Sequence, residues 1–310
     1  MEVAPLEYRL GLEISPRWLK MAQLASDNSI RPFVYLLPLE AKSFHEQGYI
    51  YKHLKEIVKS QRNDIHTKDV SVCISDICSL SKIISVEKDE SNVKDVIEWE
   101  FEQQILGTLQ EYYYDFYPVK ILDTEIAKHF IAVAVRKTLL DSILMEIRNA
   151  KLNPVVLDME YCAIVNMFEH LYPEENENLV AIVDISFSCI KYFLVYNGVF
   201  SDYNIEMHAQ GFGENFNITD LYIGKLCVFL ESRLKEIAGS NVFFEKKEIS
   251  RIYLTGDLFF KNPEISNFIK SHFSITAKYL NPFRHTELAG EDFSVICSVP
   301  VGLTLRSAGD

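Results

Sequence analysis

The stretch that decides the fold of this chain is Leu179-Val180-Ala181-Ile182-Val183-Asp184-Ile185-Ser186, which leads into a second apolar run, Cys189–Tyr196. The first run is typical of a buried strand that ends in a carboxylate, and the second is typical of its antiparallel partner. Asn197-Gly198 follows, and both residue types tolerate the positive φ of a tight hairpin turn. The stretch therefore predicts consecutive antiparallel strands around Asp184.

The same design occurs near the N-terminus, where a run that ends in Glu13 is followed by a second apolar run over 18–24. Asp184 follows Glu13 by 171 positions. Lys191 follows Lys20 by the same interval of 171 positions. A short hairpin can recur by chance, but a register that holds over the whole unit is typical of a duplicated fold. The repeat therefore predicts two lobes of related architecture.

The composition is that of a globular protein without a nucleic-acid partner. The chain has 310 residues, of which 48% are hydrophobic and 24% are charged, and its formal net charge is -13. Nucleic-acid binding needs a local excess of Lys and Arg, and the sequence has no such cluster. No signal peptide is recognisable, and no apolar run approaches the roughly 18–20 residues of a membrane span. We therefore expect a cytoplasmic protein without direct membrane insertion, and its 6 cysteines, which form no C-x-x-C, are expected to be reduced.

Strand and helix patterns alternate along the first half of the chain, which is characteristic of an α/β protein. The polar segment 172–178 is the best candidate for a boundary, so we predict a first lobe at 1–172 and a second, shortened lobe at 179–310. Besides the two hairpins, the periodicities predict strands at 33–39, 70–75, 80–86, 111–117, 129–135, 155–158, 251–255 and 275–279, and helices at 48–61, 92–105, 138–150, 160–171, 220–238 and 263–273.

Common catalytic motifs are absent from the sequence. It contains no Gly-x-Ser-x-Gly elbow, no H-E-x-x-H and no P-loop, and none of its 8 histidines stands at metal-ligand spacing. Glu98, Glu100 and Glu102 have no second carboxylate cluster to support acid–base chemistry, so we interpret them as a solvated helix face. The aromatic strand 111–117 fits a half-buried sheet surface, and stacking of a ligand on it stays open.

The order of elements resembles the actin-like ATPase superfamily and, within it, the PilM family of type IV pilus assembly proteins, which is related to the cell-division protein FtsA. The resemblance implies a duplicated, ribonuclease H-like fold of two lobes, with a small α/β subdomain inserted in the first lobe at about 68–135. Four stretches carry it, at 10–24, at 95–105 with 114–116, at 133–160, and at 249–256 with 281–283.

The resemblance also implies where a nucleotide would bind. In this superfamily, two hairpin turns hold the phosphates through backbone N–H groups, and glycine allows the close approach because it has no Cβ. The family has Asp-Ile-Gly in each hairpin, but here Ser15 and Ser186 replace the two glycines, and Pro16 removes a donor. The corresponding nucleotide-binding positions are Glu13, Ser15, Lys20, Asp184, Ser186, Gly211, Gly213, Thr255 and Gly256.

Asp184 and Glu160 are present at the two positions whose carboxylates place the metal and the attacking water in relatives. These two would be the catalytic residues if the chain hydrolysed ATP. Because several glycine-dependent contacts are altered at once, we expect no enzyme activity, no cofactor and no metal site, with weak Mg-ATP binding as the most that remains. Asp184 would then have a structural role, as a hydrogen-bond partner of the turn that it begins.

The function that the resemblance implies is that of a scaffold in the inner-membrane platform of a bacterial type IV pilus or a type II secretion system. Its partner would be a PilN-like single-span protein, whose cytoplasmic tail lies in a groove between the core of the first lobe and its insert. The chain would thus be peripheral at the inner membrane through partners, including other platform proteins. The sequence does not assign the groove residues. Two alternatives are a nucleotide-switched ATPase of the same machinery and an FtsA-like division protein.

Overall fold

The structure is a computed structural model that describes residues 8–25, 33–186, 189–196, 199–207, 248–261 and 275–306, with single helical positions at 228, 230, 232, 233, 236 and 267. The chain divides into two compact units, unit 1 with Met1–Met167 and Val299–Asp310, and unit 2 with Phe168–Ser298. The predicted lobes 1–172 and 179–310 and the insert at 68–135 stay predictions. Gly211, Gly213 and most of the predicted helices 220–238 and 263–273 lie outside the described residues.

The predicted helices and strands that fall on described residues are present in the predicted order, with bounds that differ by a few residues, and two short helices, Asp257–Lys261 and Ser298–Thr304, were not predicted. None of the described helices combines the length and the apolar character that crossing a membrane requires. In chain order they are β1 (Tyr8–Ile14), β2 (Trp18–Ala25), β3 (Phe33–Pro38), α1 (Tyr49–Ser60), β4 (Asp69–Ile74), β5 (Ser79–Glu87), α2 (Val93–Glu102), β6 (Tyr112–Pro118), β7 (Ala127–Arg136), α3 (Lys137–Asn149), β8 (Asn153–Met159), α4 (Glu160–Leu171), β9 (Val180–Ile185), β10 (Cys189–Tyr196), β11 (Val199–Met207), β12 (Arg251–Thr255), α5 (Asp257–Lys261), β13 (Thr276–Tyr279) and α6 (Ser298–Thr304).

The main sheet of unit 1 has the strand order β3-β2-β1-β4-β8. Strands β1, β2 and β3 form antiparallel hairpins, whereas β4 runs parallel to β1 and to β8 because helical crossovers connect them. Helices α1 and α3 cover one face of the sheet, and α1 buries Ile50, Leu54 and Ile57, which are spaced at one helical turn. This layer forms the larger described core of the unit.

A smaller antiparallel sheet in unit 1 has the order β5-β7-β6. Helix α2 packs on it through Ile97 and Phe101, which contact the inward face of β7 and the alternate residues Tyr112, Tyr114 and Phe116 of β6. The opposite alternation of β6 is exposed. This sheet therefore has a covered face against α2 and a second face that the rest of unit 1 partly lines.

The sheet of unit 2 has the order β11-β10-β9-β12-β13, which repeats the order and the parallel or antiparallel sense of the unit 1 sheet strand by strand. The registers also agree. Glu13 lies opposite Lys20 in the first hairpin, and Asp184 lies opposite Lys191 in the second. The duplication that the 171-residue interval predicts is thereby confirmed.

Two glycines of unit 1 allow α6 to pack closely on neighbouring backbone. A Cβ on Gly11 of β1 would lie 2.0 Å from the carbonyl oxygen of Pro300, and a Cβ on Gly302 would lie 1.9 Å from that of Ala163 in α4. Neither position has room for a side chain. The C-terminal helix of the described chain is thus fixed between β1 and α4.

Candidate functional site

The first hairpin brings together three residues at predicted nucleotide-binding positions, but it pairs them with one another or with the turn. Lys20 Nζ donates to Glu13 Oε1 at 2.7 Å, and both side chains are buried. A buried ion pair of this kind holds its two charges at short range, so neither group is offered to solvent. The pair acts as a cross-strand clamp at the end of β1 and the start of β2.

The turn of the same hairpin is closed by Ser15. Its backbone N–H donates to the Trp18 carbonyl oxygen at 2.9 Å, and its hydroxyl donates to the same oxygen at 3.2 Å. The Trp18 N–H in turn donates to Ser15 Oγ at 3.1 Å. The Ser15 and Trp18 N–H groups are therefore used inside the turn, and Pro16 carries no N–H.

The second hairpin repeats these contacts in unit 2. Lys191 Nζ lies 3.5 Å from Asp184 Oδ2, and both side chains are buried. The Ser186 N–H and hydroxyl both donate to the Cys189 carbonyl oxygen at 3.0 Å. Phe187 lies outside the described residues. The serine of each hairpin thus closes its turn by equivalent hydrogen bonds. The lysine of each hairpin faces the carboxylate at the equivalent position, Glu13 or Asp184.

Thr255 and Gly256 lie beside Asp184, because β12 runs parallel to β9 and places Thr255 opposite Asp184. Gly256 has a φ of 113°, and a Cβ there would lie 2.4 Å from Asp184 Oδ1, so only glycine fits. The Thr255 hydroxyl donates to the Val295 carbonyl oxygen at 2.6 Å and lies 3.0 Å from Ser298 Oγ. These side chains are held by protein groups of unit 2.

Glu160 begins α4 in unit 1 and forms a reciprocal pair with Asp76. Its Oε2 accepts the Asp76 N–H at 3.0 Å, and Asp76 Oδ1 accepts the Glu160 N–H at 3.1 Å. Asp76 thereby caps the N-terminus of α4, where negative charge is favoured. Burial, and next the negative charges of Glu160 and Asp76, raise the pKa of the neighbouring Cys73 thiol well above its ordinary value.

The two carboxylates that ATP chemistry would require lie in different units, with Glu160 in unit 1 and Asp184 in unit 2. Each is buried and is engaged by groups of its own unit. Among the residues that the structure describes, no three His, Cys, Asp or Glu side chains cluster as a metal site requires. Among the described residues of the two hairpins, the Ser15 and Ser186 N–H groups and the side chains of Lys20 and Lys191 have partners inside their own hairpin.

A groove in unit 1, hereafter the β6–β8 groove, is an apolar depression whose residues the sequence did not assign. Its volume is about 290 Å³. It runs between β6 on one side and the end of β8 with the start of α4 on the other, and α3 contributes to its wall. Its lining residues are Tyr113, Tyr114, Asp115, Phe116, Tyr117, Val133, Val135, Leu140, Leu157, Asp158, Met159 and Cys162.

Apolar side chains at this groove stay unusually exposed. Tyr113, Tyr117 and Leu157 are 46%, 44% and 44% exposed, although each belongs to a strand. In the described part of the chain, β6 and β8 are also the outermost strands of their sheets. An exposed apolar surface beside unpaired strand edges marks an interaction site. The alternation of Tyr113, Asp115 and Tyr117 was the sequence signal that could have indicated it.

One end of the groove carries an ion pair that ties the end of the described chain to β8. Arg306 Nε donates to Asp158 Oδ2 at 2.8 Å. Burial raises the pKa of the Asp158 carboxyl, and the Arg306 guanidinium opposes this rise. Nearby, the Tyr117 hydroxyl lies 3.6 Å from Cys162 Sγ, and burial of that hydroxyl raises its pKa. The two charges at this end of the groove therefore offset one another.

Comparison with known proteins agrees with this architecture. The sequence matches the family model of the type IV pilus assembly protein PilM over residues 34–221. No curated protein matches the sequence. The likeness to solved structures is one of fold, since identities are low, and it confirms the predicted two-lobe, actin-like α/β architecture.

Three solved structures illustrate the likeness. The PilM-PilN type IV pilus biogenesis complex has a TM-score of 0.74 at 19% identity, with 97% of this chain and 99% of that chain covered. A Bacteroides thetaiotaomicron protein with an actin-like ATPase fold has a TM-score of 0.57 at 13% identity, with 96% and 95% covered. The cytoplasmic domain of EpsL, an inner membrane component of the type II secretion system of Vibrio cholerae, has a TM-score of 0.50 at 8% identity, with 81% and 83% covered.

Proposed function

The chain belongs to the PilM family of type IV pilus assembly proteins, and on that premise we propose that it is a non-enzymatic scaffold of the pilus assembly platform. Its β6–β8 groove captures the cytoplasmic tail of a PilN-like single-span inner-membrane protein. The protein is thereby held at the cytoplasmic face of the inner membrane through this partner, beside other platform proteins of a pilus or a related secretion system.

The observation that carries this proposal is the β6–β8 groove itself. It combines an apolar lining with two strands that are outermost in the described sheets. An extended tail is recognised in such a place by main-chain hydrogen bonds to a strand edge and by side chains that enter apolar pockets. One of the solved structures that the chain resembles is a complex of PilM with PilN, which makes a PilN-like tail the occupant that the family suggests.

The contacts of the two hairpins support the scaffold over an ATPase. Ser15 and Ser186 use backbone and hydroxyl donors to close their own turns. Lys20 and Lys191 are each paired with the carboxylate of their own hairpin. A triphosphate would have to displace these internal partners, so the nucleotide-binding positions are retained here as framework of the duplicated fold.

The direct test is capture of a PilN-like membrane protein of the same organism, purified in detergent, by the full chain. Leu157→Asp places a charge in the apolar groove, where it costs about 2–3 kcal/mol without a partner, so capture should weaken by about 30-fold or more. Ile126→Asp is the matched control, because Ile126 is 80% exposed and does not line the groove.

Thermal unfolding of both variants verifies that each is folded. If Leu157→Asp captured the membrane protein as strongly as the wild type does, the groove would not be the binding site. A liposome assay without the partner adds a second readout, because a scaffold recruited through a partner should stay in the supernatant. Strong pelleting with protein-free liposomes would favour the FtsA-like alternative instead.

A further inference from the structure

The open edge of β6 forms one wall of the β6–β8 groove. Five consecutive residues, 113–117, line the groove, so it is bounded by the backbone of β6 as well as by its side chains. On its other side β6 pairs antiparallel with β7 along its whole length. Among the described residues no strand pairs with its groove side, so main-chain groups of β6 face the groove up to Pro118, which has no N–H to offer. One of these groups, the Phe116 N–H, already donates to Asp115 Oδ1, and an added strand would have to replace that contact.

The side chains of β6 alternate between two environments. Tyr112, Tyr114 and Phe116 pack against the core under α2. Tyr113, Asp115 and Tyr117 point to the opposite face, where all three are exposed. A strand added to β6 would present every second side chain to this second face, because side chains alternate along a strand. Two aromatic positions with a carboxylate between them therefore define what such a strand would meet.

Asp115 is the carboxylate in this row, and it has no oppositely charged partner among the described residues. Within the described residues, no Lys, Arg or His forms an ion pair with Asp115, whose Oδ1 accepts only the adjacent Phe116 N–H. Asp158, the other carboxylate in the lining, is paired with Arg306.

The neighbourhood of Tyr113 contributes further charge. Its hydroxyl donates to Asp141 Oδ1 at 3.2 Å, and Lys137 Nζ lies 5.2 Å from its ring centroid. Asp141 and Lys137 carry opposite charges and add no net charge beside Tyr113, whereas Asp115 adds one negative charge at the middle of the row. A cation on an added strand would meet a carboxylate there, whereas an anion would be repelled.

We propose, resting on the function proposed above, that the tail adds to the open edge of β6 as a fourth strand and that Asp115 selects a basic side chain at its centre. Flanking residues two positions away on the tail lie beside Tyr113 and Tyr117 and are apolar. The recognised pattern is therefore apolar-x-basic-x-apolar in an extended conformation. Asp115 sets specificity through charge, while the aromatic residues and the groove supply affinity.

The test uses three synthetic nine-residue peptides with blocked ends that share a Leu-Thr-X-Thr-Leu centre, in which X is Lys, Gln or Glu. Binding to the full wild-type chain is measured by fluorescence anisotropy at low salt. The Lys peptide should bind about fivefold more tightly than the Gln peptide and at least about tenfold more tightly than the Glu peptide. The difference should shrink in high salt, because an exposed pair is screened.

Asp115→Lys should reverse this order, so that the Glu peptide binds best. Asp89→Lys is the matched control, because Asp89 is exposed outside the groove and makes the same change in net charge. Its order should remain that of the wild type. Hydrogen exchange of the wild-type chain adds a readout of geometry, since strand addition should slow exchange of backbone amides in β6.

Equal affinity for the three peptides, an unreversed order in Asp115→Lys, or unprotected β6 amides would each overturn the inference. These results are distinguishable from failure of the proposed function. If Leu157→Asp abolishes capture of the membrane protein while the peptides bind without charge preference, the groove function stands and only the selection by Asp115 falls.

Discussion

Lys20 Nζ lies 2.7 Å from Glu13 Oε1 inside the first hairpin, and Lys191 Nζ lies 3.5 Å from Asp184 Oδ2 at the equivalent place in the second. In both hairpins the two residues are direct cross-strand partners. The carboxylates at positions that would serve a metal nucleotide in relatives are thus each matched by a lysine of the same hairpin. The duplicated fold thus repeats a lysine–carboxylate pair as well as the strand order.

Removal of Lys20 tests how much the first pair stabilises the fold. Lys20→Ala leaves the Glu13 carboxylate buried without this cation, and we expect a loss of about 3–5 kcal/mol in the free energy of unfolding. Chemical denaturation measures it. Lys42→Ala is the control, because its pair with Glu40 is exposed at 3.7 Å and should contribute less than about 1 kcal/mol. Equal effects of the two changes would contradict a structural role of the buried pair.

Gly302 tests the close packing of α6 on α4. Alanine normally stabilises a helix relative to glycine by about 0.5–1 kcal/mol. Gly302→Ala should have the opposite sign and destabilise by about 2 kcal/mol or more, because its Cβ would lie 1.9 Å from the Ala163 carbonyl oxygen. Gly290→Ala is the control, since a Cβ at Gly290 meets no atom within 4 Å. A raised melting temperature for Gly302→Ala would refute the packing argument.

Glu175 should give unit 2 a stability that depends on pH. Burial disfavours its charge, but hydrogen bonds from Tyr253, Asn178 and Arg251 outweigh this and lower the pKa of Glu175 below its ordinary value of 4.5. A lowered pKa contributes stability above the ordinary value, and this stability is lost as the pH falls through the folded value. Glu175→Gln should therefore destabilise by about 2–3 kcal/mol at pH 7.

The measurement compares urea unfolding of wild type and Glu175→Gln between pH 7 and pH 3. The difference between the two proteins should shrink below about pH 4.5, where the wild-type carboxyl begins to take up its proton. Glu177→Gln, which changes an exposed residue of the same segment, should follow the wild type at every pH. If the difference in unfolding free energy between wild type and Glu175→Gln stays constant with pH, the effect does not come from ionisation of Glu175.

Mg-ATP should neither bind tightly nor stabilise the protein. Calorimetric titration should give no heat of binding in the micromolar range, and the melting temperature should not rise at millimolar Mg-ATP. The reason is that the donors of Ser15 and Ser186 and the ammonium groups of Lys20 and Lys191, which a phosphate would bind, already have partners inside the hairpins. Low-micromolar binding that Asp184→Ala abolishes would reinstate the ATPase alternative.

Much of the fold could be predicted because its signals are local. The apolar run at 179–186, the positions of α1 and α3, and the 171-residue interval all depend on side-chain period and turn chemistry. The lysine clamps were also within reach, since the register of a hairpin closed at Ser15 places Lys20 opposite Glu13. They were not predicted, because the family resemblance places Lys20 at a nucleotide-binding position.

The sequence by itself determined the duplicated α/β architecture, because strand period, helix period and turn residues act over a few neighbouring positions. Only the tertiary structure decided where the β6–β8 groove lies. Two of its walls come from residues 113–117 and from residues 157–159 with Cys162, and the two strands belong to different sheets. Which strands remain outermost, and which sheet edges face one another, depends on how the sheets and helices pack. No periodicity in the sequence encodes that packing, because the contacts join residues far apart in the chain.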